Sequence, residues 1–151
     1  MCIRDRLEEV LPAAAAAGVA IIARVPLASG LLTGRYDEST TFPAGDHRTY
    51  NRHGEAFDVG ETFSGVPYDA GVQAAREIAA LTPPGWSTAQ LALRWVLDQP
   101  GVSVVIPGAR TARQALDNVV AAHLDPLPHA TLEAMADIYD HHIRRHVHDR
   151  W

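Results

Sequence analysis

One segment in the second half of the chain constrains the fold most, because it joins a short apolar strand directly to a helix. It runs from Val102 to Asn118 and reads VSVVIPGARTARQALDN. A Pro-Gly dipeptide marks the turn, and Thr111 followed three residues later by Gln114 has the form of a capping box that opens a helix. Free backbone N–H groups and the helix dipole both point out of such a helix start, so the segment predicts an anion site.

A second strand-and-turn unit lies near the start of the chain. The run Gly18–Arg24 is apolar without alternation, which is typical of a strand buried on both faces. The segment that follows it, Val25–Arg35, reads VPLASGLLTGR. Pro26 cannot continue a central strand, while Gly30 and Gly34 let the backbone approach a ligand closely. We therefore expect this turn to form the companion half of the anion site.

These two segments resemble the last two barrel strands of the aldo-keto reductase superfamily, through ARVPLASGLLTGR in the first and VSVVIPGARTARQALDN in the second. The resemblance runs from about Leu7 to the C-terminus. It implies an α/β fold, with residues 7–151 forming the C-terminal fragment of a (β/α)8 TIM barrel. A complete barrel takes about 250 residues, whereas this chain has 151.

The resemblance also implies that no catalytic residue lies in this chain. The family's catalytic Asp, Tyr, Lys and His stand on earlier strands, and the chain contains no lysine at all. We therefore expect the cofactor-binding portion of an NADPH-dependent reductase of aldehydes or ketones, inactive on its own. The first six residues, MCIRDR, resemble the in-frame translation of a transposon end used in sequencing libraries, and we expect residues 1–6 to be non-native. The alternative is a genuine N-terminus.

The site that the resemblance implies is a nicotinamide cofactor held by the two turns. It assigns the nicotinamide and pyrophosphate to residues of the first unit, namely Arg24, Pro26, Leu27, Ser29, Gly30 and Leu31, with Arg35 as a charge partner. It assigns the adenosine phosphate to residues of the second unit, namely Gly108, Ala109, Arg110, Gln114, Asp117 and Asn118. Some better-known family members carry lysine and serine in place of Gly108 and Ala109.

Three of these assignments have alternatives. Arg24 could stack its guanidinium on the nicotinamide or form an ion pair at the barrel mouth. Arg110 could grip a 2′-phosphate with two parallel hydrogen bonds, which favours NADPH over NADH, or be a solvated surface residue. Arg113 is a second candidate for that phosphate. Gln114 and Asn118 share a helix face and could bind an adenine edge, or Gln114 could serve only the helix cap.

The remaining pattern predicts helices around a long irregular segment. We expect helices over Leu7–Ala17, Asp69–Leu81 and Ser87–Asp98, and a last amphipathic helix through Ile143. On the Gln114 helix, we expect the buried face to be formed by four apolar residues, Ala112, Ala115, Leu116 and Val119. Residues 36–67 lack a sustained period, and a loop this long is usually functional or disordered.

Composition limits the function classes. The net charge is −5, which argues against a nucleic-acid surface. One cysteine excludes a disulfide framework, and the apolar run from Val10 to Ala23 is shorter than the ~20 residues that span a bilayer. We expect a cytoplasmic enzyme whose partner is a small-molecule carbonyl substrate, not nucleic acid or a membrane.

Two other readings compete with the reductase fragment. The chain could be a non-catalytic binding module or split-barrel subunit that recruits a partner half. It could also be a metal-binding domain built on His142 and His146, which are spaced one helical turn apart. No cysteine or glutamate stands between these histidines to complete a zinc-protease pattern, so we expect no metal site.

Overall fold

A computed structural model describes residues 7–148, so the prediction that residues 1–6 are non-native lies outside the described residues. Two strands, β1 (Ile21–Arg24) and β2 (Val102–Ile106), pair in parallel. Seven α-helices lie wholly within the described residues, namely α1 (Val10–Ala16), α2 (His47–Tyr50), α3 (Tyr68–Ala80), α4 (Thr88–Leu97), α5 (Ala112–Val120), α6 (His129–Ile138) and α7 (Arg144–Val147). Short 3-10 turns cover Ala28–Thr33, Val59–Glu61, Phe63–Gly65 and Ala121–His123, the first and third of which contain residues with non-helical backbone angles. A π-helix covers Tyr139–Ile143.

The register of the two strands places both candidate turns at one edge of the sheet. Ile22 lies opposite Val104, and Arg24 lies opposite Ile106. The long connection through α3 and α4 permits this parallel pairing, which no tight hairpin could make. The turns that follow Arg24 and Ile106 therefore begin side by side, at the carboxyl end of the pair.

Local signals account for the helix boundaries. Gly18, with φ +66°, ends α1, and the Gly18 and Val19 N–H groups bond to the Ala15 and Ala14 carbonyls as in a Schellman motif. Because this motif uses Gly18 and Val19, β1 begins at Ile21, later than predicted. The capping box that opens α4 is confirmed, since the Ser87 and Gln90 side chains each bond to the other's backbone N–H.

The hydrophobic core lies among the helices, not around the sheet. It packs α3 and α4 against the 3-10 turn at Ala28–Thr33 and the C-terminal helices, and its most buried side chains are Leu31, Phe63, Val72, Ile78, Leu91 and Ile143. The prediction of a strand buried on both faces is wrong for β1 in this chain. Ile22 is 60% exposed, because among the described residues no element covers the sheet face it shares with Val104 and Ile106.

The expected buried face of α5 is also wrong. Leu116 is 68% exposed and Val119 is 59% exposed, and α5 contains no buried residue. The helix does touch the core side through α4, where Gln90 Nε2 donates to the Asp117 carbonyl at 3.1 Å. Periodicity identified the apolar stripe correctly, but no described element packs against it.

The long segment between the first turn and α3 is folded around a buried asparagine. Asn51 is fully buried, and its Nδ2 donates to Thr62 Oγ1 at 3.1 Å. Its Oδ1 accepts hydrogen bonds from the backbone N–H groups of Ala56 and Phe57, both at 2.8 Å. These bonds replace the regular hydrogen bonding that the segment lacks, and so keep its chain ordered.

Candidate cofactor site

The first turn of the candidate site has an unusual backbone. Val25, Ala28 and Ser29 all have left-handed φ angles, of +51°, +47° and +55°. Gly30 follows with φ +98°, and a Cβ there would lie 2.6 Å from the Tyr36 hydroxyl, so only glycine fits. The Gly30 N–H donates to the Leu27 carbonyl at 2.9 Å and is already engaged within the turn.

The residues assigned to this turn differ in their access to a ligand. Pro26 and Leu31 are buried and support the turn from within, while Leu27 and Ser29 are half-buried. Arg35, the expected charge partner, is exposed. The buried side chains of this turn therefore support its shape from within.

Arg24 forms the ion pair that was one of its two alternatives. Its NH1 and NH2 groups each lie 3.3 Å from a carboxylate oxygen of Glu61, which comes from the 3-10 turn at Val59–Glu61. The Arg24 side chain remains 71% exposed. Strong hydration at this exposure leaves the pair worth at most about 1 kcal/mol, so it orients the guanidinium more than it stabilises the fold.

Arg48 lies beside the first turn, and sequence reasoning did not single it out. Its guanidinium donates to the Ser29 carbonyl at 3.4 Å and to the Tyr36 hydroxyl, and it stacks 4.3 Å from the centre of the Phe42 ring. Asp46 holds it with bonds of 2.6 and 2.8 Å. The arginine thus joins the first turn to the segment that follows it, with its charge balanced by Asp46.

Asp46 and Arg48 shift each other's titration. The hydrogen bonds from Arg48 hold the pKa of the Asp46 carboxyl well below its usual range, and burial opposes this only in part. The same hydrogen bonds raise the pKa of the Arg48 guanidinium. The only sequence signal for this pair is Asp46 as an N-cap: its Oδ1 accepts from the Arg48 N–H at 3.0 Å and opens helix α2.

In the second turn, the two amide side chains of α5 hold the backbone that precedes the helix. Gln114 Oε1 accepts from the Arg110 N–H at 2.8 Å, and Asn118 Nδ2 donates to the Gly108 carbonyl at 3.3 Å. Thr111 caps the helix by accepting from the Gln114 N–H at 3.1 Å. Among the described residues, Gln114 Nε2 and Asn118 Oδ1 make no hydrogen bond, and both side chains are half-exposed.

The charged residues near the second turn differ in their pairing. Arg110 is exposed, and its guanidinium forms no ion pair within residues 7–148. Arg113 lies 3.9 Å from Asp117, one helical turn away, in an exposed and weak pair. Gly108 and Ala109 are exposed and leave the approach to Arg110 open.

The C-terminal histidines are engaged elsewhere. His142 Nε2 lies 2.9 Å from Glu77 Oε1, and His146 Nε2 accepts from the Arg145 guanidinium at 3.2 Å. Within residues 7–148, no three His, Cys, Asp or Glu side chains converge as metal ligands. None of the helices in that part of the chain is long and apolar enough to cross a membrane.

A sequence model of the Aldo/keto reductase family matches residues 1–140. The chain belongs to this family. The family consists of oxidoreductases that use nicotinamide cofactors.

Curated relatives include reductases and a channel subunit. Aldo-keto reductase YhdN of Bacillus subtilis is 33% identical over 111 residues, which are 74% of this chain and 31% of the relative. L-glyceraldehyde 3-phosphate reductase of Escherichia coli K12 is 35% identical over 125 residues, 82% of this chain and 34% of the relative. A probable voltage-gated potassium channel subunit beta of Oryza sativa is 33% identical over 143 residues, 89% of this chain and 39% of the relative.

Solved structures confirm the fold prediction. A glycerol dehydrogenase of Gluconobacter oxydans superimposes with a TM-score of 0.73 at 29% identity, over 91% of this chain and 39% of that chain. The holo form of an aldo-keto reductase of Bacillus halodurans superimposes with a TM-score of 0.58 at 23% identity, over 90% of this chain and 39% of that chain. These neighbours are (β/α)8 barrels, and the chain spans about a third of the length of the relatives it matches.

Proposed function

We propose that this chain is the cofactor-binding C-terminal portion of an NADPH-dependent aldo-keto reductase. The observation that carries the proposal is the register of Arg24 opposite Ile106, because it brings the two turns together at the carboxyl end of the strands. Active sites of (β/α)8 barrels lie at that end, with phosphate sites after the last strands. The reaction would be reduction of an aldehyde or ketone, in the cytoplasm.

The adenine end of the cofactor matches the one donor and one acceptor that the amide side chains of α5 leave available. Gln114 Nε2 is a donor and Asn118 Oδ1 is an acceptor, because the other amide atoms hold the Gly108–Arg110 backbone. Adenine presents a ring-nitrogen acceptor beside an amino donor, which matches this pair. Guanine presents two acceptors on the corresponding edge, so the same pair would select against it.

Arg110 would bind the 2′-phosphate that distinguishes NADPH from NADH. Its guanidinium is exposed and has no ion-pair partner in the described chain, so binding need not break an existing pair. A guanidinium offers a planar fork that matches phosphate oxygens. Arg113 would be the weaker candidate, since Asp117 already lies beside it.

The first turn would hold the pyrophosphate and the nicotinamide. Ser29, Gly30 and Leu31 supply its backbone, Arg48 holds the Ser29 carbonyl, and Arg24 lies at the end of β1 where the nicotinamide would sit. The bound nicotinamide would supply the hydride. The chain's own residues would bind and orient the cofactor, and we propose that without the family's tetrad the isolated chain turns over no carbonyl substrate.

NADPH binding to the purified chain tests the proposal. We expect enhanced NADPH fluorescence on titration, with Arg110→Gln weakening NADPH binding about tenfold and NADH binding much less, since one charge-assisted phosphate contact contributes about 1.5 kcal/mol. Arg145→Gln, an exposed arginine on α7, is the matched control and should bind as the wild type does. Equal losses of NADPH and NADH affinity in Arg110→Gln would refute the 2′-phosphate assignment, and no NADPH binding by the wild type would refute the function.

The exposed sheet face favours a second candidate, a split-barrel subunit that binds a partner half. Ile22, Val104 and Ile106 form an apolar face that no described element covers. Contiguous apolar exposure of this kind marks interfaces. Co-expression with a separate chain carrying the first six strands of a family barrel would give a stable complex under this reading, and separate elution of the two chains would exclude it.

A further inference from the structure

Backbone strain in the described chain is concentrated in two short segments. Five non-glycine residues within residues 7–148 have left-handed φ angles: Val25, Ala28 and Ser29 in the first turn, and Phe63 and Ser64, at +49° and +61°, in the 3-10 turn that precedes α3. This backbone conformation is strained for any residue other than glycine, and it persists only where the surroundings hold it in place. Both segments therefore require external support.

The two strained segments support each other through one hydroxyl group. Ser29 Oγ accepts a hydrogen bond from the Phe63 N–H at 3.1 Å and donates one to the Glu61 carbonyl at 3.4 Å. The Glu61 carboxylate in turn holds Arg24, at the base of the first turn. Below this contact, Ala28, Phe63 and Ser64 line the same small apolar cavity.

We propose that Ser29 is a positioning residue that joins the two strained turns into one cooperative unit. Its hydroxyl is suited to this role because it donates and accepts at once, across 34 positions of sequence. The first turn then keeps its left-handed backbone only while residues 61–65 are docked on it. The coupling itself is independent of any ligand, while its consequence for cofactor affinity rests on the proposed function.

The coupling predicts a response that two independently stable turns would not give. Loss of the Ser29 hydroxyl should loosen residues 61–65 as well as the turn that contains Ser29. Thr33 provides the matched comparison, because Thr33 Oγ1 donates to the Gly30 carbonyl at 2.7 Å within the first turn and has no hydrogen bond to residues 61–65. Thr33→Val should therefore loosen the first turn alone.

Amide hydrogen exchange of the purified chain decides between these cases. In Ser29→Ala we expect exchange to rise about fivefold in peptides covering residues 28–33 and 61–66, as for the loss of about one net hydrogen bond, and in Thr33→Val only in the first peptide. A rise confined to residues 28–33 in Ser29→Ala would overturn the proposal. Ser29→Cys, which keeps a weak donor and acceptor of similar size, should give a smaller rise in both peptides and serves if the alanine variant does not fold.

A second readout separates positioning from general stability. With NADPH as the probe, we expect Ser29→Ala to raise the Kd about fivefold, Ser29→Cys to restore part of the loss, and wild-type binding to protect residues 61–66. Unchanged affinity in Ser29→Ala, with wild-type binding intact, would overturn the link to the cofactor. Absence of NADPH binding by the wild type would refute the proposed function, and the exchange of the free chain would still decide the coupling.

Discussion

Asn118 Nδ2 donates a hydrogen bond to the Gly108 carbonyl at 3.3 Å, so helix α5 holds the turn that leads into it. Gln114 acts in the same way on the Arg110 N–H. Both side chains thus shape the backbone of the candidate adenosine site with one amide atom and keep the other atom available. A structural role and a binding role, which look like alternatives in the sequence, are compatible in the same residue.

Removal of the Asn118 amide should affect binding more than folding. We expect Asn118→Ala to weaken NADPH binding about tenfold, because it releases the Gly108 turn and removes an acceptor for adenine, while the half-exposed site limits the loss of unfolding free energy to about 1 kcal/mol. Fluorescence titration and urea denaturation measure the two effects. Asn118→Asp keeps the acceptor but cannot donate to the Gly108 carbonyl, so its NADPH affinity should lie between those of the wild type and Asn118→Ala. A large stability loss with unchanged affinity would contradict the binding role.

Asn51 should be among the most sensitive positions of the long segment. Asn51→Ala removes a fully buried side chain and leaves the partly buried Ala56 and Phe57 N–H groups without their acceptor, so we expect a loss of about 3 kcal/mol of unfolding free energy. Thr62→Val removes only the acceptor of the third bond and should cost about 1 kcal/mol. Chemical denaturation of both variants measures the two losses of unfolding free energy. Equal losses in Asn51→Ala and Thr62→Val would show that the hydrogen bonds from the backbone to Asn51 contribute little.

Local chemistry in the sequence predicts much of this fold. The capping box at Ser87, the Pro-Gly turn before Arg110 and the glycine that ends α1 each depend on residues within one or two turns of each other, so their pattern can be read directly. The order of the two turns along the chain, with a helical connection between them, likewise predicts parallel strands.

Long-range relationships escape the sequence for physical reasons. Periodicity shows which side of α5 is apolar, but not whether anything covers Leu116, since burial depends on elements elsewhere. Arg48 donates hydrogen bonds to the Tyr36 hydroxyl and the Ser29 carbonyl across an irregular segment, and the sequence of that segment has no periodic pattern that predicts these contacts. The backbone strain at Ser29 cannot be predicted from the sequence either, because a serine does not indicate a left-handed φ in the way that a glycine does.

The Asp46–Arg48 pair should make stability fall in acid. The pKa of folded Asp46 is lowered by its bonds to Arg48, so the carboxylate stabilises the fold above its ordinary pKa of about 3.9, and this contribution is lost as the pH falls toward the folded value. We expect Asp46→Asn to lose about 1–2 kcal/mol at pH 7 and the gap to the wild type to narrow below about pH 4. Asp125→Asn, at an exposed position, is the control. A gap that stays constant down to pH 2.5 would contradict the pairing.

The uncovered apolar stripe of α5 should govern how the isolated chain behaves in solution. Leu116 and Val119 are more than half exposed, so the double substitution Leu116→Gln/Val119→Gln should change the unfolding free energy by no more than about 0.5 kcal/mol. It should also reduce self-association, because it breaks up an exposed apolar surface. Size-exclusion chromatography with light scattering measures the associated fraction at equal protein concentration. Leu93→Gln, in the buried face of α4, is the matched control and should unfold the chain by placing a polar amide in the core. If the α5 double variant unfolds as Leu93→Gln does, that stripe is covered in solution by another copy or another segment.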